Sequence, residues 1–185
     1  NKIKNRSVML NSNGEVMAYY DKIHLFDVAI RDGQVYRESQ TVSAGKDVVT
    51  VDLPWGQCGL TICYDVRFPH LYRALAQSGA LFITIPAAFT YKTGKAHWHT
   101  LVRARAIENG CYVFAPSQCG TRNWGRKTFG HSLIVDPWGN ILAEGTGEEG
   151  IIYADIDVSS VVRARTMIPS LRHDRDVYVR GQVKL

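Results

Sequence analysis

Short apolar runs broken by turn residues fill the first third of the chain, and helical periods appear only in its middle. Ser7–Leu10 and Val16–Tyr20 flank Asn11-Ser-Asn-Gly14, and Asn-Gly between apolar runs predicts a hairpin. Residues 21–45 show no steady period and read as loop. Val48–Leu53 alternates as a strand, Pro54-Trp-Gly56 turns, and Gln57–Cys63 reads as a second, more buried strand. Pro69 suits the first turn of a helix carrying Leu71, Ala74 and Leu75 on its apolar side, with Gly79 as its stop. Ala80–Pro86 is a continuous apolar run of the kind buried on both faces of a sheet.

A second helix is predicted over about Ala96–Asn109, with Trp98, Leu101, Val102 and Ile107 facing the core and Gly110 ending it. Cys111–Pro116 is another buried strand, and residues 117–130 form a Gly-, Arg- and Asn-rich loop. Gly130–Val135 and Asn140–Glu144 flank the turn Asp136-Pro-Trp-Gly139, where Trp138 is placed in the core or an interface. Gly150–Ile156 reads as a last strand and Val158–Thr166 as a short helix. Strands alternating with two helices, then a run of strands, predict a layered α/β domain with a mixed sheet; residues 1–185 are read as a single domain.

The 185 residues are 45% hydrophobic and 21% charged, which suits a globular chain with a sizeable core. The net charge is +5, but no basic-aromatic motif accompanies it, so no nucleic-acid partner is expected. The longest strongly apolar stretch, Ala80–Phe89, is interrupted by Thr84 and Pro86 and is far shorter than the ~20 residues of a membrane span, so no membrane partner is expected. The four cysteines show no C-x-x-C spacing, and a cytoplasmic protein with reduced thiols is the expectation.

Gly59-Leu-Thr-Ile-Cys63-Tyr-Asp-Val-Arg67-Phe-Pro69 is the stretch richest in chemistry. An apolar strand delivers one thiol to a sharp break before a helix, which suits a nucleophile, with the following backbone N–H free for an oxyanion. A small buried core cysteine fits the same letters, and both readings stay open at this point. Lys22, in Tyr20-Asp-Lys22-Ile-His-Leu-Phe26, follows a buried strand among aromatics, where an ammonium can stabilise an oxyanion. Glu38, by itself, reads most simply as a surface acid.

Those segments resemble the nitrilase superfamily of carbon-nitrogen hydrolases. So do Ala96-His-Trp-His-Thr-Leu-Val-Arg-Ala-Arg-Ala-Ile-Glu108-Asn, Gly130-His-Ser-Leu-Ile-Val-Asp-Pro-Trp-Gly139 and Ala154-Asp-Ile-Asp157. Five motifs in family order cover about Ser7 to Tyr178, and the Nit amidase branch is the best match. The resemblance implies an αββα sandwich with mixed sheets and no metal or organic cofactor. It implies that Cys63 is the nucleophile, and that Lys22 supports the oxyanion and protonates the leaving group. Glu38 matches the family's second, supporting glutamate, and the Tyr64 N–H completes the oxyanion hole. The implied reaction is hydrolysis of a small carboxylate-bearing amide through a Cys63 thioester, with release of ammonia. A thiol beside a lysine is expected to have a lowered pKa.

The family's general-base glutamate belongs to a segment ahead of the lysine motif. Only 21 residues precede Lys22, and Glu15 beside the Gly14 turn does not match it. The expectation is a chain that lacks its N-terminal portion, with the base supplied by a preceding segment. His70 stands where the Nit branch usually carries Glu, and His173-Asp-Arg175 where it tends to carry His-Arg-Arg. The resemblance also implies a homo-oligomer, with Val179–Leu185 reaching a neighbour.

Arg67 could clamp a substrate carboxylate or pair with an acid to hold its turn; Phe89 and Thr90, at a strand end, are read as pocket residues. His97 and His99 are two apart on a helix and point to different faces, which disfavours one metal bound by both. Glu108, near Arg103 and Arg105, is read as an ion-pair partner. Three functions follow. They are an amidase, an incomplete homologue that binds a ligand or partner, and a redox or transferase thiol enzyme that does not need Lys22.

Overall fold

The computed structural model describes residues 1–30, 34–121, 125–178 and 181. Its centre is a six-stranded mixed sheet in the order β10-β9-β8-β7-β6-β5. The strands are β5 (Thr50–Leu53), β6 (Gly56–Leu60), β7 (Phe82–Thr84), β8 (Tyr112–Ala115), β9 (Leu133–Val135) and β10 (Ile141–Glu144). β6, β7 and β8 run parallel, linked by helices α1 (Pro69–Gln77) and α2 (Tyr91–Asn109), while the outer pairs are antiparallel. A separate hairpin joins β1 (Arg6–Leu10) to β2 (Val16–Asp21) across the predicted Asn-Gly turn. The third helix, α3, spans Ser159–Met167.

Two hydrophobic clusters lie on opposite faces of the sheet, sorted by the two-residue period of the strands. Ile83, Val113, Leu133 and Val135 face Leu71, Tyr72 and Leu75 of α1 and Trp98, Val102 and Ala106 of α2. Phe82, Tyr112, Cys58 and Leu60 point the other way, toward Tyr20 of β2 and Val161 of α3. The expected α/β class with a mixed sheet is therefore what the chain adopts. Among the described residues no helix is long and apolar enough to cross a membrane.

Several expectations are corrected. The segment read as loop holds a second hairpin, β3 (Asp27–Ile30) with β4 (Gln34–Arg37), followed by a 3-10 turn at Glu38–Gln40. Its β3 residues alternate only between exposed and half-buried, so no apolar face marked the strand. Helix α2 begins at Tyr91 rather than Ala96, capped by the Thr90 hydroxyl accepting from the Thr93 N–H. Gly94 weakens the helical signal there, yet a Cβ on it would lie 2.3 Å from Phe129 Cβ, so close packing demands the glycine. Gly150–Ile156 forms no strand, although its exposure alternates; Ile151 is 78% exposed. Periodicity records a pleat, whereas a strand also needs a partner. Ile107 is 51% exposed and lies outside the core, and the same exposure of Trp138 removes the core alternative for that residue. The tail Val179–Leu185 falls outside the described residues, Gly181 excepted.

Leu75 is fully buried between α1 and the sheet, with its methyl groups 3.0 Å from where a Cβ on Gly59 of β6 would stand. Leu75→Ala is expected to cost about 2–5 kcal/mol in urea unfolding. A loss below about 1 kcal/mol would mean that the interface is not close-packed.

Candidate active site

Cys63 sits past the end of β6, not within it as the apolar run suggested. Ile62 is extended (φ −138°), Cys63 turns to φ +49°, and a 3-10 turn spans Cys63–Arg67. A non-glycine residue in the left-handed region costs about 1–2 kcal/mol, and such strain is held only where surrounding bonds fix it. Here the Cys63 N–H donates to the Pro86 carbonyl at 2.9 Å, and the Ala88 N–H is directed at the sulfur. Both acceptor and donor come from the segment after β7, so the sheet itself holds the elbow.

Asp65, two residues on, is completely buried and ties this elbow to the segment carrying Lys22. Its carboxylate accepts from the Tyr20 hydroxyl (2.7 Å), the His24 N–H (3.0 Å), the His24 ring Nδ1 (2.8 Å) and the Ile62 N–H (2.9 Å). Burial and the Asp65 charge push the Tyr20 hydroxyl pKa far up, so it remains a donor. The His24 ring is further stacked on Phe68 at 3.6 Å. Lys22 lies between Tyr20 and His24 and is 3% exposed. Its backbone is gripped as well: the Gly45 N–H donates to the Lys22 carbonyl at 2.8 Å.

The Lys22 ammonium meets Glu38 Oε2 at 2.5 Å. The same oxygen accepts from the Phe26 N–H at 2.6 Å, and Oε1 accepts from Asn5 Nδ2 at 2.9 Å. Burial pushes the Glu38 carboxyl up, but these three donors outweigh it and hold the carboxyl below its ordinary value. Glu38 is thus no surface acid; the unrecognised β3–β4 hairpin is what turns it inward.

Cys63, Lys22, Glu38 and Thr90 line one cavity of about 1160 Å³, together with Ala88, Ser117, Arg37 and Arg126. The expected lowering of the Cys63 pKa is corrected. Burial pushes the thiol up, and the Ala88 N–H and the Lys22 charge offset that only in part, with Glu38 and Asp65 opposing them. The resting sulfur is therefore a thiol.

Phe89 is also a correction: its ring is buried against Trp98, 4.8 Å between centroids, away from the cavity. The Arg67 guanidinium lies over the Phe89 and Tyr64 rings with Nη2 3.3 Å from His97 Nδ1, outside the cavity lining. The Tyr64 ring packs edge-on against Phe26 and Phe68. Cys58 and Cys111 are buried in the core, where burial raises each thiol to about 11.

A family model for carbon-nitrogen hydrolases matches residues 1–166. The chain belongs to the carbon-nitrogen hydrolase family. Within it, the likeness is to the Nit branch of the nitrilase superfamily. A deaminated glutathione amidase of Synechocystis is 48% identical over 174 residues, covering 93% of this chain and 64% of that protein. The structure of the Caenorhabditis elegans NitFhit protein superposes with a TM-score of 0.88 at 44% identity, covering 94% of this chain and 42% of that one. A point mutant of an amidase from Nesterenkonia, whose structure shows covalent addition of the acetamide moiety of fluoroacetamide at the active-site cysteine, is 28% identical with a TM-score of 0.72. That match covers 88% of this chain and 58% of the amidase. The chain thus spans less than two thirds of the length of these relatives.

Asp65, Asn5, the Ala88 N–H and Ser117 join the cavity and its supports without having been marked in the sequence. Asp65 carried a signal, a carboxylate inside an apolar and aromatic segment. Ser117 carried none: its hydroxyl is buried on the cavity wall and has no hydrogen-bond partner among the described residues. Glu108 pairs with Arg105, as the helical spacing suggested.

Because folding lowers the Glu38 pKa, its contribution to stability is complete above the ordinary value of 4.5 and is lost as pH falls through the lower folded-state value. The difference in urea midpoint between the native chain and Glu38→Gln should be largest near pH ~7 and shrink toward pH ~3. A difference that does not change with pH would remove the Lys22–Glu38 pair as its source.

Proposed function

We propose that this chain carries the nucleophile and oxyanion cation of an amidase. It would hydrolyse the C–N bond of a small carboxylate-bearing amide through a thioester on Cys63. The observation that carries the reading is one cavity that gathers a thiol on a strained elbow, a buried ammonium and its carboxylate partner. The names of the relatives and the reactive cysteine of the Nesterenkonia enzyme support it.

In the first half-reaction the thiol proton passes to a carboxylate base as Sγ adds to the amide carbonyl carbon. Negative charge develops on the carbonyl oxygen between the Lys22 ammonium and the Tyr64 N–H. Tyr64 stands at the start of a 3-10 turn, where N–H groups have no partner within the turn. The nitrogen takes the proton as the C–N bond breaks, and ammonia leaves. Water then adds to the thioester, gives a proton to the base, and the C–S bond breaks to return thiol and free acid. Glu38 holds the ammonium in place. It is itself a poor base, since three donors occupy it and its pKa is lowered.

Glu38 is also the only carboxylate on the cavity wall among the described residues. The reading therefore assigns the proton-accepting role to a carboxylate other than those of the described residues, with a preceding segment as its expected source, within a homo-oligomeric, cytoplasmic enzyme that needs no cofactor. Residues 1–185 count as one domain in it. Arg37 and Arg126 on the wall suit the substrate carboxylate better than Arg67 does. The same shortage of carboxylates favours a second reading, a homologue that binds such amides without turning them over.

Ammonia release from short ω-amides, beside amide binding by calorimetry, tests both readings. Cys63→Ala should abolish release, and Lys22→Ala should lower kcat/KM by about 10²–10³. Binding with no release by a protein that also carries the preceding segment would favour the binding homologue. Release that survives Lys22→Ala would point to a thiol enzyme of another kind.

A further inference from the structure

Away from the cavity, three elements converge on a cluster that the amidase reading does not use. His99 comes from α2, His131 from the turn before β9, and Glu144 from the end of β10. His99 Nε2 and His131 Nδ1 donate to the same oxygen, Glu144 Oε1, at 2.9 and 2.7 Å. The three potential ligand atoms lie within 4.8 Å of one another, and none of the three side chains is buried.

The cluster is held in place. His131 is one of two non-glycine residues with positive φ among the described residues, at +56°. Its carbonyl accepts from the Trp98 indole N–H at 2.7 Å, and its N–H donates to the Thr146 carbonyl at 3.1 Å. Its ring is stacked on Phe129, 4.4 Å between centroids, and the His99 ring meets Phe129 edge-on at 6.0 Å. A left-handed residue fixed by a buried indole on one side and an aromatic face on the other presents its ring in one orientation.

We infer that His99, His131 and Glu144 form a surface site for a divalent transition-metal ion, with two imidazole nitrogens and one carboxylate oxygen as ligands. That donor set suits zinc, cobalt or nickel, and three protein ligands leave a coordination position for water. Tetrahedral bonds of about 2.0–2.1 Å place ligand atoms roughly 3.3 Å apart. The Glu144 oxygen withdraws by about half an ångström and the two imidazole nitrogens, up to 4.8 Å apart, close toward that spacing, movements that rotation of the Glu144 and His99 side chains supplies. His97, which the sequence pairs with His99, faces Arg67 and takes no part. The site is separate from the cavity and from the amidase reading, and the result for either leaves the other standing.

The probe is cobalt(II), titrated into the reduced native chain and followed by absorbance and calorimetry. One saturable equivalent should bind, with visible d–d bands and no near-ultraviolet thiolate charge-transfer band. His99→Ala, Glu144→Gln and His131→Asn should each weaken binding by at least about tenfold. Asparagine tolerates positive φ, so His131→Asn keeps the backbone while removing the ligand. Absence of saturable binding, a thiolate band, or affinity unchanged in the folded His99→Ala or His131→Asn variant would overturn the site.

Discussion

One buried carboxylate fixes the relation between the two halves of the cavity. Asp65 follows the Cys63 elbow in sequence and receives the hydroxyl, backbone and imidazole protons of the Tyr20–His24 segment. Each bond to a charged acceptor is worth about 1.5–3 kcal/mol, whereas stripping water from the carboxylate costs several. What the arrangement secures is a single geometry: with its four donors in place, the ammonium of Lys22 and the sulfur of Cys63 cannot shift independently.

That geometry holds charge in a place where charge is costly. The Cys63 thiol is pushed up by burial, so the resting site holds a neutral thiol beside a Lys22–Glu38 pair. Water exclusion that disfavours the thiolate also strengthens each dipole and charge aimed at a developing oxyanion. Backbone strain at Cys63 belongs to the same design. The elbow is held by Pro86 and Ala88, and it lifts the sulfur out of the sheet toward the cavity.

Helix α2 connects the cavity to the β10 edge of the sheet. Thr90 caps it at the cavity wall, Trp98 fills the core and holds the His131 turn, and His99 reaches Glu144. Phe129 packs against Gly94 of the same helix and stacks on His131. A change in the tilt of α2 would be felt at both ends.

Local chemistry made much of this legible in the sequence. The Asn-Gly hairpin, the proline start of α1, the parallel strands β7 and β8 and the Asp136–Gly139 turn each depend on short-range preferences that operate before any packing exists. The residues of the elbow and the Lys22 motif stood out for the same reason. Tertiary structure decided the rest. Glu38 turns inward only because β3 and β4 pair, and pairing depends on a partner strand that no single segment encodes. Gly150–Ile156 has the alternation of a strand without such a partner, and Ile107 has the spacing of a core residue yet lies over the Gly139 turn. The thiol pKa was misjudged because proximity to a cation can be guessed from sequence. The amount of water removed around the sulfur is a property of the whole fold.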